Sequence, residues 1–159
     1  MVVASMSYAS TMNVIESWEY VRKLNNYEQV VGVHLFRNFF ALAPEALPVF
    51  AFGRSSNLEA DFYQSPKLIQ HAKLYIVALD KAIGLLGPNF ELLREILMDL
   101  GDKHRRFGVS PELFQPMGQA IIETLQELLG DKKFTPTIKA SWTECFQLLS
   151  DGMSETKSW

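Results

Sequence analysis

One cysteine, three histidines and no long run of one charge are what this chain of 159 residues has least of, and each scarcity removes a class of function. Cys145 has no partner thiol, so no internal disulfide can form, which fits a reducing compartment. The 15 basic and 18 acidic residues leave a net charge of -3. The longest basic runs are the pairs Arg105-Arg106 and Lys132-Lys133, which give no broad positive field for nucleic acid. No stretch reaches the roughly 18 consecutive apolar residues that a membrane-crossing helix needs. Residues 1–15 carry no charged side chain, but Ser5, Ser7, Ser10 and Thr11 interrupt them and no basic segment precedes them. They read as a tail over 1–12, not a secretory leader. Val2 in place of glycine removes an N-myristoylation signal. The expected location is cytoplasmic, without membrane attachment.

What the chain does have is apolar mass, 48% of its residues, enough for one domain of this length to bury about two-thirds of its unfolded surface. Apolar positions recur at intervals of three and four nearly throughout, and alternating runs are scarce, so the fold class is all-α. Asn13 is placed as the N-cap of a first helix with Val14, Trp18 and Val21 inward. A second helix runs from Tyr27 through Phe40, and Pro44 opens a short one to residue 50. The Gly, Ser, Asn and Pro of "GRSSNLEADFYQSP" (53–66) mark a loop, after which Ser65 caps a long helix begun by Pro66 and ended near Gly84 or Gly87. Phe90 to Phe107 form the next, closed by Gly108 in a left-handed cap, and Ser110-Pro111 opens another that Gly130 closes. Thr135-Pro136 starts the last helix, which reaches about Met153 before a polar tail over 155–159. No internal repeat is present, so these helices pack as one sandwich over 13–154.

Two histidines fall on inward stripes. Leu93, Leu97, Leu100 and His104 step along one helix face, and Leu68, His71, Tyr75, Ala78 and Ala82 along another. A buried imidazole needs a partner. A backbone or hydroxyl group can supply it, or both rings can face one pocket and ligate iron, and helical spacing alone leaves that choice open.

The linear order of residues goes further. Pro44 precedes Phe50 by six residues, His71 follows Phe50 by 21, and His104 follows His71 by 33, leading into "RRFGV". This order resembles the globin family over roughly residues 13 to 154. "LFRNFFALAPEALPVF" (35–50), "LGDKHRRFGV" (100–109) and "FTPTIKASW" (134–142) are specifically similar to neuroglobin-like metazoan globins.

The resemblance implies seven to eight helices in a three-over-three sandwich around haem b (iron protoporphyrin IX). His104 would be the proximal iron ligand and His71 the distal histidine, with Phe50 stacked on the porphyrin and Phe36, Leu100, Val109 and Phe114 lining the pocket. It implies reversible binding of dioxygen, nitric oxide or carbon monoxide. If His71 itself binds iron, the resting state is six-coordinate. The alternative is redox, electron-transfer or gas-sensing work with an electron donor, including nitric oxide dioxygenase or nitrite reductase side activity. No enzyme is expected first, and the expected assembly is a monomer or weak homodimer.

Tyr75 departs from the family pattern, standing where most globins carry a small apolar residue such as valine. Its hydroxyl can donate to dioxygen, donate to His71, or turn away and pack with a bonded tip. Leu74 replaces a basic residue that meets a haem propionate in many relatives, with Lys73 or Arg105 the nearest substitutes. His34 matches no motif and reads as structural, Trp18 and Trp142 as core. A zinc site drawn from His34, His71, His104 and Cys145 has no metal-binding spacing behind it, and nothing around Cys145 in "TECFQ" activates a thiolate.

Overall fold

The computed structural model describes residues 6–50, 60–87 and 89–155. Residues 1–5, 51–59, 88 and 156–159 lie outside them, and with them most of the expected N-terminal tail, the first part of the expected loop at 53–66 and the polar tail after 155. Six α-helices span Tyr8–Arg22 (α1), Tyr27–Leu42 (α2), Pro66–Gly84 (α3), Phe90–Arg106 (α4), Phe114–Lys133 (α5) and Pro136–Ser154 (α6). Short 3-10 helices occupy Pro44–Val49, Ala60–Gln64 and Pro111–Leu113. No strand occurs among the described residues.

The helix starts follow capping chemistry. Ser65 and Thr135 each accept from the backbone N–H three residues on, at 3.1 and 3.3 Å, and Pro66 and Pro136 fill first helical positions where no N–H is needed. The start of α1 corrects the sequence expectation. Ser7, not Asn13, is its N-cap, accepting from the Ser10 N–H at 3.1 Å, so residues 8–12 are helical and not tail. Asn13 lies inside the helix and donates to the Ser141 hydroxyl on α6 at 3.0 Å. The expected loop at 53–66 is also partly helical. Ala60–Gln64 makes a 3-10 turn because Phe62 and Tyr63 are apolar enough to be buried. At the other end of the site region Gly108 adopts φ +81°, as a left-handed cap requires, while Gly130, expected to close α5, instead kinks it at φ +76° and ψ 171°, an extended positive-φ conformation open to glycine, and the helix runs on to Lys133.

Packing sets α1, α3 and α4 against α2, α5 and α6: α3 lies on α2, α1 and α4 on α6, and α5 behind both. The α1–α6 contact centres on Trp18 and Trp142, fully buried with ring centroids 5.9 Å apart. Both indole N–H groups are satisfied, Trp142 donating to the Ser17 hydroxyl at 2.8 Å and Trp18 to Asp80 on α3 at 2.7 Å. These tryptophans are core, as expected.

Two glycines let the histidine-bearing helices approach their supports. A Cβ on Gly32 would come within 2.6 Å of the Ala72 carbonyl, beside His71. A Cβ on Gly101 would run into the Met153 carbonyl of α6, three residues before His104. The two crossings thus fix α3 and α4 on separate supports. Gly101→Ala is expected to destabilise the fold by about 1–3 kcal/mol through overpacking, whereas Gly84→Ala, with no atom near the added methyl, is neutral or stabilising. Urea midpoints of the two variants check this.

Candidate functional site

Helical spacing brings His71 and Tyr75 to one face of α3, Phe36 comes from α2, and the 3-10 turn at Pro44–Val49 ends by delivering Phe50. The Phe50 N–H closes that turn on the Leu47 carbonyl at 3.2 Å. Phe36 sits at the centre of the group. Its ring meets His71 at 5.3 Å, Phe50 at 5.8 Å and Tyr75 at 5.8 Å, each close to edge-on, and Phe50 meets His71 at 5.1 Å. Edge-to-face contacts of this kind add about 0.5–1.5 kcal/mol each beyond burial, enough to hold the imidazole orientation. Burial pushes the His71 pKa down, and the charge of His104 pushes it the same way. His71 is therefore the neutral imidazole, the form able to ligate metal or donate a single N–H.

His104 stands on α4 opposite this group, and its Nδ1 lies 2.7 Å from the Leu100 carbonyl. A carbonyl only accepts, so Nδ1 carries a proton and donates, and in the neutral ring the lone pair is on Nε2. The backbone beyond is equally constrained. Gly108 donates to the Arg105 carbonyl at 3.0 Å and Val109 to the His104 carbonyl at 2.9 Å, the paired bonds of a Schellman cap. That cap turns Val109 back towards the histidine and leads to Phe114, whose ring meets His104 edge-on at 6.0 Å. Leu100, Val109 and Phe114 are half-buried and stand outside the packed core, as residues lining a ligand space would.

The fold therefore gathers the expected residues in two groups, Phe36, Phe50, His71 and Tyr75 on one side and Leu100, His104, Val109 and Phe114 on the other. Two contributions escaped the sequence. Phe40, one turn after Phe36, braces Phe50 at 5.5 Å, and its spacing from Phe36 is a signal that could have found it. Leu100 acts through its carbonyl, which no side-chain pattern reveals.

Other expectations are settled by placement. His34 pairs with Glu127 of α5 at 2.7 Å, and Cys145 is in the core. No cluster of three potential metal-ligating side chains exists among the described residues, so the zinc grouping does not assemble. Arg105 is not the substitute for a basic residue at Leu74. It binds Asp102 and the Met153 carbonyl, the latter at 3.2 Å, and so faces α6. Leu74 is 59% exposed, while Lys73 forms no ion pair among the described residues. No helix among the described residues is long and apolar enough to cross a membrane.

Burial pushes the Cys145 thiol up to about 12. The native protein is expected to show no reaction with a thiol reagent such as dithiobis-nitrobenzoate at pH 8 until it is unfolded, because thiolate is the reactive form. Rapid labelling of the folded chain would contradict that placement.

The family model described as Globin matches residues 33–153. Among curated proteins, neuroglobin of Tetraodon nigroviridis is 29% identical over 123 residues, covering 77% of this chain and 76% of that protein. Neuroglobins of Dissostichus mawsoni and Chaenocephalus aceratus are each 27% identical over 139 residues, covering 87% of this chain and 84% of theirs.

Proposed function

Because the chain belongs to the globin family, we propose that it binds haem b through His104 and holds dioxygen, nitric oxide or carbon monoxide reversibly on the side of His71. The observation that carries this reading is the His104 imidazole with its Nδ1–H committed to the Leu100 carbonyl at 2.7 Å. That is the tautomer a metal ligand needs, oriented by a second group as ligating histidines usually are.

When bound, haem would supply an iron able to take the His104 imidazole and a small diatomic ligand. The chain does the rest. His104 donates the Nε2 lone pair, and the Leu100 carbonyl raises its basicity by drawing on Nδ1–H. Phe36 and Phe50 wall the His71 side and exclude water, while Leu100, Val109 and Phe114 make the other side apolar. His71, neutral and held between two ring edges, competes for the position a small ligand would take. Such competition lowers apparent ligand affinity by the fraction of molecules with the site open. Lys73, which forms no ion pair among the described residues, could meet a propionate, for no more than about 1 kcal/mol at a partly exposed position.

The test is hemin uptake followed by reduction. The wild type is expected to take up hemin and, as the deoxy ferrous protein, to show sharp split visible bands from two imidazoles. His71→Leu should convert them to one broad band, and His104→Gly should lose stable binding until free imidazole is added. Unchanged hemin binding and spectrum in His104→Gly would overturn the assignment. A broad band in the wild type would leave His104 in place and remove His71 from the iron.

A further inference from the structure

A cleft of about 400 Å³ opens between α1, the end of α5 and the start of α6, and none of its lining residues belongs to either histidine group. Its floor is polar but satisfied from within the chain. Asn13 donates to the Ser141 hydroxyl at 3.0 Å, and the Ser17 hydroxyl donates to the Asn13 carbonyl at 2.7 Å while accepting from Trp142 at 2.8 Å. The N–H of Ile138, on the α6 side of the cleft, is taken by the Thr135 hydroxyl at 3.3 Å.

What is left for a ligand is the charge at the rim. Lys23, Lys132 and Lys133 are exposed, and they form no ion pair among the described residues. They are also gathered. Lys23 of α1 and Lys133, on the turn of α5 beyond the Gly130 kink, both place their ammonium groups over the ring of Tyr20, 5.5 and 5.0 Å from its centre. The negative ring face attracts each cation and offsets the repulsion between them, so two helices present their charges around one residue. Nearby acids do not cancel this field. Glu19 is paired with Arg22 at 3.1 Å, and Asp131, beside Lys132, accepts from Gln126 at 2.6 Å. Glu16 is the remaining acid of the lining, one carboxylate against three ammonium groups.

We propose that this cleft is a binding site for a small polyphosphate, free or carried by a nucleoside, whose linked phosphoryl groups bridge Lys23 to Lys132 and Lys133. Lysine binds phosphate as a compact point charge, and several such charges favour a multivalent anion. A chain of two or three phosphoryl groups reaches ammonium groups of both helices, as a single phosphate or carboxylate does not. The cleft volume is within the range of small-molecule sites. A nucleic-acid strand is not the matching partner, because the positive field is confined to this cleft on a chain of net charge -3. The site does not depend on the haem assignment, whose residues it does not share.

The experiment titrates the full chain as purified with tripolyphosphate, adenosine triphosphate, inorganic phosphate and adenosine, followed by calorimetry at low salt without divalent cations. Tripolyphosphate and adenosine triphosphate are expected to bind saturably at one equivalent and with similar affinity, inorganic phosphate about tenfold more weakly, and adenosine not at all. Lys132→Gln and Lys133→Gln together should weaken tripolyphosphate about tenfold, whereas Lys67→Gln, an exposed lysine on α3, should leave it unchanged. Glu16→Gln should tighten binding by removing the like charge. All of these positions are exposed, so urea midpoints are expected to stay at the wild-type value. Absence of saturable binding by the wild type, equal losses in Lys67→Gln and the cleft variants, or adenosine binding as tightly as adenosine triphosphate would overturn the proposal.

Discussion

The hydrogen bond from His104 Nδ1–H to the Leu100 carbonyl, 2.7 Å long, is the constraint on which the rest of the site depends. It joins a side chain to a backbone group one turn earlier, so its geometry is inherited from α4. Anything that fixes α4 therefore fixes the imidazole. The Gly101 crossing on Met153, the Arg105 bond to the same carbonyl and the Arg94–Glu155 pair at 3.2 Å all hold α4 on the end of α6. The glycine is the strongest of these, because a steric limit is not screened by solvent as an exposed ion pair is.

The opposite side is organised by aromatic packing. Phe36 is buried on α2, and α2 holds α3 closely enough that Gly32 admits no side chain. His71 and Tyr75 are thus presented by a helix whose position depends on α2, while His104 depends on α6. The two imidazoles belong to differently anchored halves of the molecule. The placement of each imidazole is thus set by backbone contacts elsewhere, not by the residues beside it.

Much of this was legible in the sequence, and the reason is physical. Proline after a capping hydroxyl, as at Ser65-Pro66 and Thr135-Pro136, and glycine at a left-handed position, as at Gly108, are local signals that tertiary context rarely reverses. The two inward histidines followed from helical spacing, whereas reading them as one site rested on the family resemblance carried by the order of Phe50, His71 and His104. What was illegible depended on groups distant in sequence or on backbone atoms. Asn13 looks like a cap until Ser141 offers its side chain a partner on α6 and Ser7 takes over capping. Arg105 looks free to face a propionate until α6 brings carbonyls to it. The Leu100 carbonyl has no sequence signature.

The central claim is that His104 presents Nε2 because Nδ1–H is held by Leu100. Proton NMR of the hemin-loaded ferric protein with cyanide as the second axial ligand tests it most directly. The account predicts a hyperfine-shifted ring N–H from His104 that exchanges slowly with water, as a proton donated to a backbone carbonyl must. A rapidly exchanging ring proton, or a slow one that persists when position 104 is glycine, would contradict it.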